Sequence, residues 1–264
     1  MPNPRLEQII LSRRKQLYAD AEKEIQELER ILGLSREDVL ALLKELEEHE
    51  RRYGGARLVR DAAMVLAGTG MLWSSLRNRL GSIYQATIEH GWELGVDAVE
   101  AISAHMGEVA PRAVAWTDVL KRNVIPFADK QTLAIESRIR GELVRGVLNG
   151  DSVQAISDRL IGAGLGTDGT PWKSAMSRAD TTVITETSRA YHSALTGNFN
   201  QADWVDGYQW MTFPDGPWPC AQCAPLHGRF IPKGSGPIPP LHPRCRCSLV
   251  VVTKKYGTYD LTMP

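Results

Sequence analysis

The 264-residue sequence has no excess of either charge, since Lys and Arg total 31 and Asp and Glu total 31. Such a chain lacks the broad electropositive field by which a protein holds nucleic acid without sequence preference, so any DNA contact has to be local. Long hydrophobic runs are missing as well. The longest uncharged stretch near the middle, residues 62–76, is too short and too rich in Gly, Ser and Thr to span a bilayer, which sets a membrane partner aside. The opening MPNPRLEQII has neither a basic-then-apolar leader nor a small-residue cleavage site, so a reducing cytoplasm is the expected setting. There is no repeat of solenoid period and no HExxH, GxSxG or phosphate-binding Gly-Lys-Ser loop. Cysteine is scarce, four residues in a chain long enough to bury a core without staples, and this excludes a small disulfide scaffold.

What is present is mostly helical periodicity. Leu6, Ile10, Leu17, Ala21, Leu28 and Leu32 recur in steps of four and seven and keep one stripe on one helix face. Gly33 reads as a left-handed stop, and Ser35 with acids following reads as an N-cap ahead of Val39, Leu40, Leu43 and Leu46. These signals predict a helical hairpin over residues 1–53, closed by Gly54-Gly55. Its stripe, represented by Leu6, Ile10, Leu17 and Leu28, is expected to dock on a partner. A helical body over 54–128 follows, with Pro111 and Pro126 as boundaries. Helices are predicted near 129–148, closed by Asn149-Gly150, then over VQAISDRLI capped by Asp151 or Ser152, and over 173–200. After Ala202 the pattern changes: YQWMTF and SLVVV read as strands, separated by the turn Pro214 to Pro217 and a proline-rich loop. The expected class is mainly α with a small zinc-bound β element, α+β overall, its C-terminal module spanning 129–253 and a tail at 254–264.

All four cysteines crowd into that module, as Cys220-Ala-Gln-Cys223 and His242-Pro-Arg-Cys245-Arg-Cys247. A Cys-x2-Cys turn aims two thiolates at one centre, and a returning loop brings the remaining ligands. Thiolate and imidazole suit a borderline-soft tetrahedral ion, and zinc is the natural choice. Five candidates compete for four positions. The favoured set is Cys220, Cys223, His242 and Cys245, and the rival replaces His242 by Cys247. Either set closes the ion's coordination, so the expected role is structural, with Arg229, Arg244 and Arg246 near in sequence to offset the thiolate charge. Disulfides or free core cysteines are the plainer alternative, disfavoured by a reducing compartment.

Three stretches, QWMTFPDGPWPCAQCAPLHGRFIP, PIPPLHPRCRC and the helix TTVITETSRAYHSAL, resemble the Mu F-like head morphogenesis proteins of tailed bacteriophages over roughly residues 130 to 252. The family tends to carry Arg-Thr-Glu before the cluster, and this chain has Ile184-Thr185-Glu186, leaving Arg178 or Arg189 to pair with Glu186. The resemblance implies a non-enzymatic minor head protein inside the capsid near the portal, made in the host cytoplasm and concerned with head assembly or DNA packaging and ejection. Its implied partners are the portal, a major capsid or scaffolding protein, packaged DNA and other copies of itself. Arg244 and Arg246 are the candidates for DNA phosphate contact. The alternative is a zinc-finger nuclease or hydrolase acting in packaging, with His227 as its base, and a DNA-binding finger is a third reading.

Overall fold

The computed structural model describes residues 4–53, 69–111, 117–161, 171–212, 221–259 and 261. Among these residues the elements are α1 (Pro4–Tyr53), α2 (Gly70–Met106), α3 (Thr117–Asn149), α4 (Val153–Ile161), α5 (Pro171–Phe199), β1 (Val205–Met211), β2 (Phe230–Pro232) and β3 (Ser248–Thr253). The expected mainly helical chain with a small β element is what forms. Two compact units divide it. One comprises Met1–Glu24, Gln85–Lys121 and Thr181–Pro264, and the other Ile25–Tyr84 and Arg122–Asp180.

In the first unit the sheet has the order β2-β1-β3 and is antiparallel throughout. Tyr208 faces Ile231 on one side of β1, and Trp210 faces Leu249 on the other. Every residue of β3 is buried, so this strand is covered on both faces. Its core joins Leu6, Ile10 and Leu17 of α1 with Ala98 and Ile102 of α2, Tyr191, Leu195 and Phe199 of α5, Trp210 and Leu249 of the sheet, and Cys223, Cys245 and Cys247. Burial of aliphatic and aromatic side chains at roughly 1.5 to 3 kcal/mol each makes this cluster the main source of the unit's cohesion.

Close approach of α2 to α5 depends on two glycines one turn apart. A Cβ on Gly95 would lie 2.6 Å from both the Tyr191 carbonyl oxygen and the Ala194 Cβ, and one on Gly91 would lie 2.7 Å from the Thr187 carbonyl oxygen. Backbone cannot yield as a flexible side chain does, so Gly95→Ala is expected to cost about 1 to 3 kcal/mol. Gly33→Ala should act the other way. Gly33 is helical, its added methyl would meet nothing within 4 Å, and relief of chain entropy stabilises by about 0.5 to 1 kcal/mol. Urea unfolding of the two variants beside the parent reads both signs.

In the second unit Leu28, Leu32, Ser35, Val39, Leu43 and Leu46 are buried along α1. The hairpin expected around Gly33 does not form; α1 is one helix of 50 residues. The reason lies in the steps between these buried positions, which are four, three, four, four and three. The buried face therefore never changes phase at the glycine, and tertiary packing overrides a local stop signal. Ser35 is itself buried and its hydroxyl caps nothing among the described residues. Pro126 also sits inside a helix where a boundary was expected. The turn that follows is held by buried Ala128, Thr132 and Ile135 and by the Phe127 ring against Tyr84, which outweighs the one backbone donor a proline gives up.

Other local signals are realised. Gly150 takes φ +71° after Asn149, and the Asp151 N–H returns to the Gly146 carbonyl at 2.8 Å. Ser152 caps α4, its hydroxyl accepting from the Ala155 N–H at 3.2 Å. Glu50 of α1 accepts from the Val153 N–H at 3.2 Å, a second cap supplied from a distant part of the chain. The expected Gly54-Gly55 ending, most of the helical start at 56–69, the Gly-rich loop at 162–170 and the Pro214 to Pro217 turn lie outside the described residues.

Candidate metal centre

Two tight turns bring the sulfur and imidazole ligands together. Cys223 precedes a 3-10 turn at Ala224–Leu226, and its carbonyl accepts the Leu226 N–H at 3.0 Å. The second turn runs His242-Pro243-Arg244-Cys245, with the Cys245 N–H on the His242 carbonyl at 3.2 Å and Arg244 at φ +60°. Proline at the second position and a left-handed third residue are the requirements of a type II turn. That third residue is an arginine, so the turn holds a left-handed conformation that glycine ordinarily takes. Helix α5 compensates: the Arg244 N–H donates to Thr185 Oγ1 at 3.0 Å, while the Thr185 hydroxyl donates to the Thr181 carbonyl at 2.6 Å. Thr185 of the Ile184-Thr185-Glu186 segment is thus a fixed anchor for the turn.

The resulting cluster is Cys223, His242 and Cys245, whose ligand atoms all lie within 4.8 Å of one another. Cys223 and Cys245 are fully buried, and their sulfurs are 3.9 Å apart. A tetrahedral ion with metal–sulfur bonds of about 2.3 Å separates two thiolates by about 3.8 Å, whereas a disulfide needs about 2.05 Å. The donor set and its spacing fit a metal ion, and no disulfide joins Cys223, Cys245 and Cys247 to one another. Nδ1 of His242 lies 2.9 Å from its neighbour's Pro243 carbonyl, the tautomer that leaves the Nε2 lone pair for an ion.

Cys247 adjoins the same cluster. Its thiol hydrogen-bonds to Cys245 and to Cys223. The bond from Cys247 draws the Cys245 thiol down to about 5, and the same pairing together with burial pushes Cys247 up. Cys220 lies outside the described residues.

The remaining candidates are placed as follows. Leu6, Ile10, Leu17 and Leu28, expected as a docking stripe, are buried by the chain itself at 1% exposure or less, so they supply cohesion and present no surface to a partner. Arg246 turns onto α1, its guanidinium 5.1 Å from the Tyr18 ring centroid, whereas Arg244 stays exposed. Glu186 is paired with Arg189 at 3.1 Å, as the missing family arginine suggested, and burial raises its carboxyl. His227 has both ring nitrogens engaged. Nδ1 accepts from the Thr212 N–H at 3.1 Å and lies 2.5 Å from the Thr212 hydroxyl, and Nε2 is 3.2 Å from the Leu261 carbonyl. It joins Leu261 to Thr212, the residue after β1, with both ring nitrogens in hydrogen bonds.

Three contributors escaped the sequence reading. Tyr18 and Arg14 of α1 reach the cluster's flank across more than two hundred residues of sequence, with Arg14 Nε donating to the Arg246 carbonyl at 3.4 Å. Gln209 braces the sheet on which the centre is built. Its amide donates to the Gly228 and Tyr259 carbonyls at 2.8 and 2.9 Å, and its Oε1 accepts the Tyr259 N–H at 2.8 Å. Tyr259, in the stretch expected as a tail, is thereby tied to the sheet. Among the described residues no helix is long and apolar enough to cross a membrane.

Residues 137–250 match the family model described as Phage Mu protein F like protein. No curated protein and no solved structure matches the chain.

Proposed function

We propose, from the match of residues 137–250 to the Mu F-like family model, that the chain is a non-enzymatic minor head protein of a tailed phage. In this reading it sits inside the head near the portal, enters from the host cytoplasm during assembly, and serves head assembly or the packaging and ejection of DNA. What supports the non-enzymatic part is the thiolate-rich make-up of the cluster, with Cys223 and Cys245 fully buried beside a partly buried His242 and with Cys247 adjoining as a further ligand. Zinc is the ion we assign to it. Three thiolates with one imidazole, or four thiolates, fill a tetrahedral shell and leave no position for a water to be activated. The ion's chemistry there is cohesion: it ties the Cys223 turn to the His242–Cys245 turn, which the sheet alone connects only through loops.

Assembly reactions provide the test. Heads formed from portal and major capsid protein with this chain present are expected to retain it in few copies, and it should co-sediment with portal alone. Particles that form normally and exclude it would overturn the assignment. The nuclease alternative is read in the same preparation: supercoiled plasmid incubated with the protein and Mg²⁺ should remain supercoiled, and nicking that tracks the purified chain would replace this proposal.

A further inference from the structure

We infer that Tyr18, with Arg14 and Arg246, forms the outer shell of the ion centre, so that ion binding and the docking of the first half of α1 are one linked equilibrium. This rests on the assignment of an ion to Cys223, His242 and Cys245.

Two guanidinium groups share one ring. Arg14 lies 5.3 Å and Arg246 5.1 Å from the Tyr18 centroid, and Arg14 Nε donates to the carbonyl of Arg246. Cys245 and Cys247 flank Arg246 in sequence, so the residue that meets α1 is itself placed by the ligand turn. An ion that fixes this turn would also fix the Arg246 carbonyl that Arg14 meets and the guanidinium that lies on Tyr18. The neighbouring apolar side chains point the same way, because Leu17 belongs to the core that contains Cys223, Cys245 and Cys247.

The coupling must be reciprocal: what the ion does for α1, the stack does for the ion. Outer-shell partners commonly change metal affinity by about 10- to 100-fold when removed. Arg14→Ala and Tyr18→Ala in the full chain are therefore expected to weaken Zn²⁺ binding about tenfold or more, measured by competition with a chromophoric chelator. Tyr18→Phe keeps the ring and should keep the affinity. Arg13→Ala is the control; Arg13 faces Asp97 at 3.6 Å and should leave affinity within about twofold of the parent. Chelation of the parent should raise amide exchange over residues 11–20, read by mass spectrometry, with residues 28–46 unchanged.

Unaltered Zn²⁺ affinity in both alanine variants, or unchanged exchange over 11–20 on chelation, would overturn the linkage while leaving the ion centre in place. Failure of the centre itself shows separately, as parent protein without zinc by elemental assay, and removes the linkage with it.

Discussion

Cys223→Ser and Cys245→Ser are each expected to strip the protein of its ion and to unfold one part of it selectively. A structural zinc is worth roughly 10 to 16 kcal/mol in apparent binding energy, against roughly 5 to 15 kcal/mol for the whole stability of a typical domain. The two cysteines are fully buried, so serine also places a poorly satisfied hydroxyl among apolar neighbours, at about 1 to 3 kcal/mol. The damage should follow the shared core. Residues 205–211 and 221–253 lose protection first, followed by the parts of α1 and α5 that pack on them, while the buried stripe Leu28 to Leu46 and helix α4 remain protected. Elemental analysis with hydrogen exchange on each variant checks both halves of this expectation. Chelator added to the parent should reproduce the same map, and a variant that keeps full zinc would refute the ligand assignment.

The second large effect is a dependence on pH centred on His192. This side chain is buried within α5, its Nδ1 lies 2.7 Å from the Ser188 carbonyl, and Nε2 has no partner among the described residues. Burial pulls its pKa down to about 4, with the Ser188 bond opposing. In the unfolded chain the imidazole titrates near 6.5, so between about 6.5 and 4 the unfolded state binds a proton that the folded state refuses. The stability this group contributes is complete above pH 6.5 and is lost as the pH falls toward 4. At roughly 1.4 kcal/mol per pKa unit the loss approaches 3 kcal/mol. Denaturant unfolding from pH 7.5 to pH 4.5 should show it. His192→Gln, which cannot be protonated, should flatten that slope relative to the parent even if its absolute stability is lower. A slope of equal steepness in the variant would assign the acid sensitivity to other groups, Glu186 excluded, since a raised carboxyl pKa favours the folded state as pH falls.

Much of this architecture was legible in the sequence, for identifiable reasons. The Cys and His residues declare themselves because each ligand turn is local, and a Cys-x2-Cys or His-x2-Cys spacing has meaning without knowledge of the rest of the chain. Asn149-Gly150 and Ser152 were readable for the same reason, being caps whose chemistry is complete within a few residues. Gly33 failed because a local stop competes with packing, yet the stripe Leu28, Leu32, Val39, Leu43, Leu46 already showed one uninterrupted face and was the stronger signal. β2 is three residues, Phe230–Pro232, too short for any period and ending in a proline; only its register against Gly207 to Gln209 makes it a strand. β1 starts at Val205, earlier than its aromatic run suggests, through an irregularity between Val205 and Gly207 that no composition announces. The Arg14–Arg246 contact spans 232 positions, and nothing in either neighbourhood names the other.

The six buried residues of β3 carry a further implication for handling the protein. Ser-Leu-Val-Val-Val-Thr is β-branched, uncharged and free of proline, and it occupies a border of its sheet. Segments of this kind recruit their own likeness once uncovered. Preparations made in chelating buffers should accordingly be lost as β-rich precipitate, and supplementing the growth medium with zinc should recover dispersed material from the same cells.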